Sequence, residues 1–363
     1  MTSATIRSAA VAALAGVAAL AGADTPTGWT DPIGAPAEIV PLAAQTLVLG
    51  IARSGEHYVA VGTRGDILLS DDAHNWRQSH VPTRTTFTAV AAVDAQVWAV
   101  GHEGVIAHSG DGGTHWEIQR ADPWKPGDDA GMRDSVQGAP LLGVLFLDTH
   151  RGYAVGAYSL ALRTTDGGAT WQTLTVAKPA AANDDGDKKS PAKAGHGDTF
   201  SKEELTVGQE ATPHLNAIAR TGSGALFIVG ERGSAFRSRD DGATWQRLQL
   251  PYDGSMFGVI GYEGDRVLAY GLRGHVYEST DLGDHWNAIE TGTELSLMGA
   301  TALPDGGAAI VGANGIVLIR ERAGEPLKSY VDEPAGILAA ALPLDKGALL
   351  LAGENGLSTF QPH

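Results

Sequence analysis

The apolar residues of this chain fall in short runs punctuated by glycine. A run ending in Gly, two variable residues and a second Gly occurs at Val61-Gly62-Thr63-Arg64-Gly65 and Val100-Gly101-His102-Glu103-Gly104. A degenerate copy is Val155-Gly156-Ala157-Tyr158-Ser159, followed by Val229-Gly230-Glu231-Arg232-Gly233 and Tyr270-Gly271-Leu272-Arg273-Gly274. The last two are Val311-Gly312-Ala313-Asn314-Gly315 and Ala352-Gly353-Glu354-Asn355-Gly356. Successive first glycines are 39, 55, 74, 41, 41 and 41 residues apart, so one unit recurs seven times with two insertions. An apolar run precedes each landmark, as in Thr46 to Ile51, Leu141 to Leu147 and Ile337 to Leu342; another follows, as in Asp66 to Ser70 or His275 to Glu278. In five copies a turn then leads into a run begun by Trp. Four runs of about five residues per unit predict a four-stranded antiparallel blade. The fold class is therefore all-β, a seven-bladed β-propeller. Gly at both ends of the two-residue linker predicts a tight hairpin with positive φ.

A second motif, Ser-x-Asp-x-Gly-x-Thr-Trp, marks the turn into the fourth strand. It is carried by Ser109, Asp111, Gly113, His115 and Trp116; by Thr164, Asp166, Gly168, Thr170 and Trp171; by Ser238, Asp240, Gly242, Thr244 and Trp245; and by Ser279, Asp281, Gly283, His285 and Trp286. A decayed form spans Ser70 to Trp76, with Asp71 taken as its carboxylate. A short carboxylate accepts hydrogen bonds from its own turn, and Gly permits the bend. The Trp can bury its ring against the neighbouring blade and place its N–H on an acceptor. These Asp boxes are structural on this reading.

The seventh unit ends without a Trp strand, while Pro36 to Leu42 has no partner in the first unit. This N-terminal segment is expected to pair as the outer strand of blade seven and close the ring. Insertions at 119–140 and 178–213 interrupt the period; the second, rich in Ala, Asp, Lys, Gly and Pro, has the composition of a mobile loop. Because strands alternate in direction, the Gly-x-x-Gly turns share a face with the connections between blades, and both insertions fall there. The Asp boxes lie on the other face. Long loops on a rigid scaffold carry function, so the Gly-x-x-Gly face is the candidate site. In blade order its tips read Arg64, Glu103, Tyr158, Arg232, Arg273, Asn314 and Asn355, where three Arg could hold a carboxylate or an acidic peptide.

The N-terminus adds a destination. Arg7 is the only charge before Asp24, residues 8–22 are small and apolar, and Ala21-Gly22-Ala23 is a small-x-small pattern. That stretch reads as a cleaved signal peptide, 1–23, shorter than the roughly 20 strongly apolar residues of a span. The expected mature protein, 24–363, is exported to the periplasm or secreted, a single propeller domain and a monomer that does not span the membrane. The formal net charge of the full chain, −16, disfavours nucleic acid and anionic lipid as partners, and loss of Arg7 with the leader would make it more negative. The absence of Cys excludes disulfides, thiolate metal sites and Cys nucleophiles.

No catalytic residue, cofactor or metal is expected. Asp boxes also resemble those of sialidases and related glycoside hydrolases, which leaves a hydrolase or a glycan-binding module as alternatives. Hydrolysis needs an acid and a nucleophile or base at one sugar ring. The box carboxylates are committed to turns, and the first blade reads Ile51-Ala52-Arg53-Ser54 where a sialidase-like segment would be Phe-Arg-Ile-Pro. His102, His115, His196, His214, His275 and His285 show no paired metal-ligand spacing, and Asp184, Asp185 and Asp187 lack a calcium-loop frame.

These repeats resemble the BNR/Asp-box propellers of the photosystem II stability/assembly factor-like family. The match is carried by Val59-Ala60-Val61-Gly62 through Asp71, Trp98-Ala99-Val100-Gly101 through Trp116, Gly152-Tyr153-Ala154-Val155-Gly156-Ala157-Tyr158, and Gly271-Leu272-Arg273-Gly274-His275-Val276-Tyr277. The resemblance implies a non-catalytic propeller that escorts a membrane-protein client received on an Arg-lined face. Here Arg64, Arg232 and Arg273 match that pattern; Glu103, Tyr158, Asn314 and Asn355 depart from it. A non-photosynthetic bacterial branch, with an inner-membrane complex or exporter as client, is the implied setting.

Overall fold

The computed structural model describes residues 31–123, 137–176 and 212–362. The chain divides at Asp31/Pro32, and the unit from Pro32 onward is the propeller. The expected signal peptide, most of both insertions and the expected mobility of the second lie outside the described residues.

Each repeat folds as expected into one antiparallel sheet in sequence order. Blade 1 comprises Val48–Ser54, His57–Gly62, Ile67–Ser70 and Arg77–Gln78. Blades 2 to 6 span residues 87–120, 141–173, 215–249, 256–288 and 297–331 in the same pattern. Blade 7 holds Leu338–Pro343, Leu349–Gly353 and Gly356–Phe360, three strands among the described residues. The first strands touch one another in succession, and that of blade 7 meets that of blade 1, so they form the inner wall of a closed ring. Fourth strands are as short as two residues, and Glu117–Arg120 in blade 2 takes in the start of the expected first insertion.

Seven apolar clusters fill the seven interfaces between blades. The second strands are almost wholly buried, as in Val59, Ala60 and Val61 or Val97 to Val100, because both of their faces meet a neighbouring sheet. Between blades 2 and 3, Trp98 stacks on Phe146 with ring centroids 3.5 Å apart.

Ring closure differs from the expectation. Residues 36–42 form no strand on blade 7. Ala37 N–H donates to Val81 O at 3.0 Å, Val40 N–H to Gln78 Oε1 at 2.9 Å, and Gln78 Nε2 to Glu38 O at 2.9 Å. The segment thus runs along the outer edge of blade 1. Pro36 and Pro41 flank it, and each lacks the N–H that a ladder requires. Blades 7 and 1 instead meet through side chains, with Ala43, Val48, Ala60 and Leu68 packed on Ala352, Ala340 and Leu357.

Candidate functional site

The Gly-x-x-Gly turns are built by one repeated contact. In all seven blades the residue after the first Gly donates its N–H to the carbonyl just before the first strand: Thr63 to Leu47, His102 to Thr86, Ala157 to Pro140, Glu231 to His214, Leu272 to Ser255, Ala313 to Ser296 and Glu354 to Ile337, at 2.8 to 3.3 Å. The same carbonyl lies where a Cβ on the first Gly would stand, so that Gly is required by close approach. Its φ is extended, −160° at Gly62 and −179° at Gly271, not positive as expected. Positive φ belongs to the second Gly, as at Gly65 (77°) and Gly274 (73°), and to the residue before it.

That residue is the tip of the turn, and in six blades it is a left-handed non-glycine: Arg64 (55°), Glu103 (53°), Tyr158 (54°), Arg232 (54°), Arg273 (55°) and Asn314 (54°). Each such residue costs roughly 1–2 kcal/mol, less for Asn. The fold therefore holds the backbone of the tips in a strained conformation. Arg64, Tyr158, Arg232, Arg273 and Asn314 are exposed and Glu103 is half-buried. Arg64, Arg232 and Arg273 form no side-chain ion pair among the described residues. Glu231 and Glu354 instead accept backbone N–H groups of their own connections, His214 N at 3.1 Å and Ile337 N at 3.3 Å. Tyr158 packs edge-on to His214, centroids 5.0 Å apart. Beside Arg64, Asp66 accepts hydrogen bonds from Gln78 Nε2 (2.6 Å) and Thr46 Oγ1 (3.3 Å). Burial pushes its carboxyl above the usual range despite Thr46 and Arg64.

A second ring at this end had no signal in the repeat. Every first strand carries a one-residue β-bulge near its start, at Leu49, Thr88, Leu142, Asn216, Phe257, Met298 and Ala339. A bulge re-aims the side chain it carries. Thr88 Oγ1 donates to Leu141 O at 2.6 Å and Asn216 Nδ2 to Met256 O at 2.8 Å, each reaching the next blade.

The opposite face is held by the Asp boxes. Asp111 Oδ1 accepts from Ser109 Oγ (2.8 Å), Thr114 N (3.1 Å) and His115 N (2.9 Å). Asp166 and Asp240 each accept a Thr hydroxyl at 2.6 Å, from Thr170 and Thr244. Those bonds, with the backbone N–H of the same Thr, hold both carboxyls down at about 2. His285 binds Asp281 in the same way, through N (2.9 Å) and Nδ1 (2.7 Å). In blade 1 the box carboxylate is Asp72, not Asp71. Asp72 accepts from Ser70 Oγ, His74 N and Asn75 N, whereas Asp71 faces His57 Nδ1 at 2.7 Å. The Ser-x-Asp spacing selects Asp72, because only a carboxylate two residues past the Ser lies inside the turn.

Trp76, Trp116, Trp171, Trp245 and Trp286 each pack between their own blade and the preceding one. The indole N–H of Trp116 and Trp245 bonds its own turn, at Gly113 O (2.7 Å) and Gly242 O (3.2 Å). Those of Trp171 and Trp286 have no acceptor among the described residues. On this side a cleft of about 820 Å³ lies at the ends of the first strands of blades 3 to 6, lined by Arg220, Tyr262, Glu263, Arg266 and Asp305. Arg266 lies 3.9 Å over the Tyr262 ring and donates to Glu278 at 2.8 Å. The fully buried Arg320 clamps the same Glu278 at 2.8 and 3.3 Å. Among the described residues, no group of three or more His, Cys, Asp or Glu is gathered as a metal site, and no helix is long and apolar enough to cross a membrane.

A closed ring of seven antiparallel blades, held by Asp-box turns on one face and Gly-x-x-Gly tips on the other, is a seven-bladed β-propeller. No family model and no curated protein matches the chain. Solved structures do. A YCF48 bound to D1 peptide is 17% identical, with 92% of this chain and 98% of that one covered at a TM-score of 0.61. YCF48 from Cyanidioschyzon merolae is 14% identical, covering 90% and 98% at 0.59. Virginiamycin B lyase from Staphylococcus aureus is 12% identical, covering 89% and 97% at 0.63. At these identities the likeness is one of fold.

Proposed function

We propose that this chain is an exported, non-catalytic propeller that captures a protein client on its Gly-x-x-Gly face, as an assembly or accessory factor for a membrane complex. One observation carries the reading. Three exposed guanidiniums, Arg64, Arg232 and Arg273, stand without ion pairs among the described residues at strained turn tips of a protein of net charge −16. Exposed arginines at such tips suit bidentate contact with carboxylates of an acidic peptide segment. Tyr158 and Glu103 complete the rim on blades 2 and 3. The similarity to a YCF48 bound to D1 peptide supports peptide capture; the leader-like N-terminus supports a periplasmic site of action.

The test is recovery of a client from detergent-solubilised host membranes by the wild type and by the Arg64→Ala/Arg232→Ala/Arg273→Ala variant. Equal recovery by both refutes the Arg assignment. N-terminal sequencing of the protein from a periplasmic extract tests export, with residue 24 expected first. The 820 Å³ cleft favours a second reading, a glycan or small-molecule site on the opposite face. Turnover of fluorogenic glycosides, abolished by Glu263→Gln or Asp305→Asn, would establish that reading and remove the scaffold proposal.

A further inference from the structure

Seven large hydrophobic side chains are exposed among the described residues: Ile39, Leu42, Leu47, Tyr158, Met298, Val331 and Ile337. Hydrogen bonds place them with respect to the two faces. Leu47 precedes the first strand of blade 1, and its carbonyl holds the turn at Thr63. Ile337 does the same for blade 7 at Glu354. Val331 ends the fourth strand of blade 6 opposite Ile316, and the next residue, Asp332, donates its N–H to Gly315 of that blade's turn. Met298 is the bulge residue of blade 6. Leu42 precedes the short helical turn Ala43–Gln45, which lies against the third strand of blade 7. Tyr158 is the tip of blade 3, and Ile39 runs along the outer edge of blade 1. All of them belong to the Gly-x-x-Gly end of the ring or its rim. None belongs to the Asp-box side.

Their distribution around the ring is uneven. Met298, Val331, Ile337, Leu42 and Leu47 fall on three consecutive blades, 6, 7 and 1. On blades 6 and 7 the turn tips are the uncharged Asn314 and Asn355, and Asn355 Nδ2 is itself tied to Pro334 O at 2.9 Å. The exposed fractions of Val331 (57%) and Ile337 (45%) are high for side chains with no polar group to solvate. A single exposed Leu needs no explanation, but a run across three adjacent blades marks a contact surface. Charge brackets this arc. On one side stands Arg273 of blade 5 and on the other Arg64 of blade 1, both exposed and without ion pairs among the described residues.

The geometry points to one occupant, a peptide segment of a partner protein whose apolar stretch lies across blades 6, 7 and 1, with acidic residues on both sides of that stretch meeting Arg273 and Arg64. This rests on the client-capture reading and sharpens it, because it states which part of the ring receives the client and what the client must look like. Apolar contact supplies affinity, while the two guanidiniums set position and exclude basic segments. A lipid surface fits poorly, since the protein is strongly acidic.

The experiment uses fluorescein-labelled ten-residue peptides, each spanning roughly 33 Å when extended, titrated against the purified protein by fluorescence anisotropy. One has Glu at both ends and Leu and Phe between; a second keeps the Glu ends with Ser and Gln between; a third keeps the apolar centre with Lys ends. The first is expected to bind at least tenfold more tightly than the other two. Met298→Gln/Val331→Thr/Ile337→Gln is expected to remove that preference without changing the thermal midpoint. If the first and second peptides bind equally and Arg64→Ala/Arg273→Ala weakens both, acidic capture stands and the apolar arc is wrong. If no peptide binds, both readings fall. Binding to neutral phosphatidylcholine vesicles, or concentration-dependent dimerisation in sedimentation that the arc variant abolishes, assigns the surface to lipid or to a second copy and overturns the peptide.

Discussion

Backbone strain at the turn tips can be separated from the chemistry of the side chains placed there. Arg64, Arg232 and Arg273 sit at φ of 54–55°, a region that disfavours any residue with a Cβ. Replacing all three with Ala removes the guanidiniums and keeps the strain. Replacing them with Gly removes both. Relief of roughly 1–2 kcal/mol per site, less roughly 0.5–1 for the greater freedom of Gly in the unfolded chain, leaves about 2 kcal/mol across three sites. An unfolding entropy of about 2.1 cal/mol/K per residue over the roughly 280 described residues makes that about 3 °C. Differential scanning calorimetry of the two triple variants should therefore place Gly above Ala by about this much, with both equally deficient in client recovery. A Gly variant no more stable than the Ala variant would refute the idea that the tips are held under strain. A Gly variant that still recovers client would refute the role of the guanidiniums.

Other expectations follow from the same contacts. Glu278→Gln leaves Arg320, 2% exposed, without its counter-charge, and should cost about 3–5 kcal/mol in urea unfolding; a loss under 1 kcal/mol would show that the clamp contributes little. Asp72→Ala should lower the thermal midpoint because four turn donors lose their acceptor, while Asp71→Ala, which breaks an exposed pair with His57, should leave it nearly unchanged. Reversal of that order would restore Asp71 as the box residue. The carboxyls of Asp166 and Asp240 titrate at about 2 when folded and near 3.9 when unfolded, so the unfolded chain binds more protons between those values. Their contribution is complete above pH ~4 and lost as pH falls toward ~2, and Asp166→Asn/Asp240→Asn should flatten that limb of a midpoint-against-pH curve. An unchanged acid limb in the double variant would show that other carboxylates set it.

The features legible in the sequence are those whose cause lies within one repeat. The Gly-x-x-Gly turn is a contact between adjacent strands, and the Asp box is a carboxylate bonded to donors three or four residues away, so both recur wherever the unit recurs. Strand order, blade number and the faces occupied by Arg64, Arg232 and Arg273 followed from that period. Asp72 shows the same locality: standing two residues past Ser70 puts its carboxylate inside the turn, whereas the adjacent Asp71 falls outside it and meets His57.

What tertiary structure alone decided involves residues that meet only because the ring closes. Leu47 and Ile337 are nearly 300 positions apart in sequence yet stand on adjacent blades, and each taken alone is an ordinary apolar residue before a strand. The clamp of Arg266, Glu278 and Arg320 joins two blades. Closure itself went against the expectation for residues 36–42, since packing of Val48, Ala60 and Leu68 on Ala352 and Leu357 joins the last blade to the first without a shared ladder. Periodicity specifies the blade, a local object. The surface that a ring presents depends on which unlike side chains its curvature brings side by side, and no repeat encodes that.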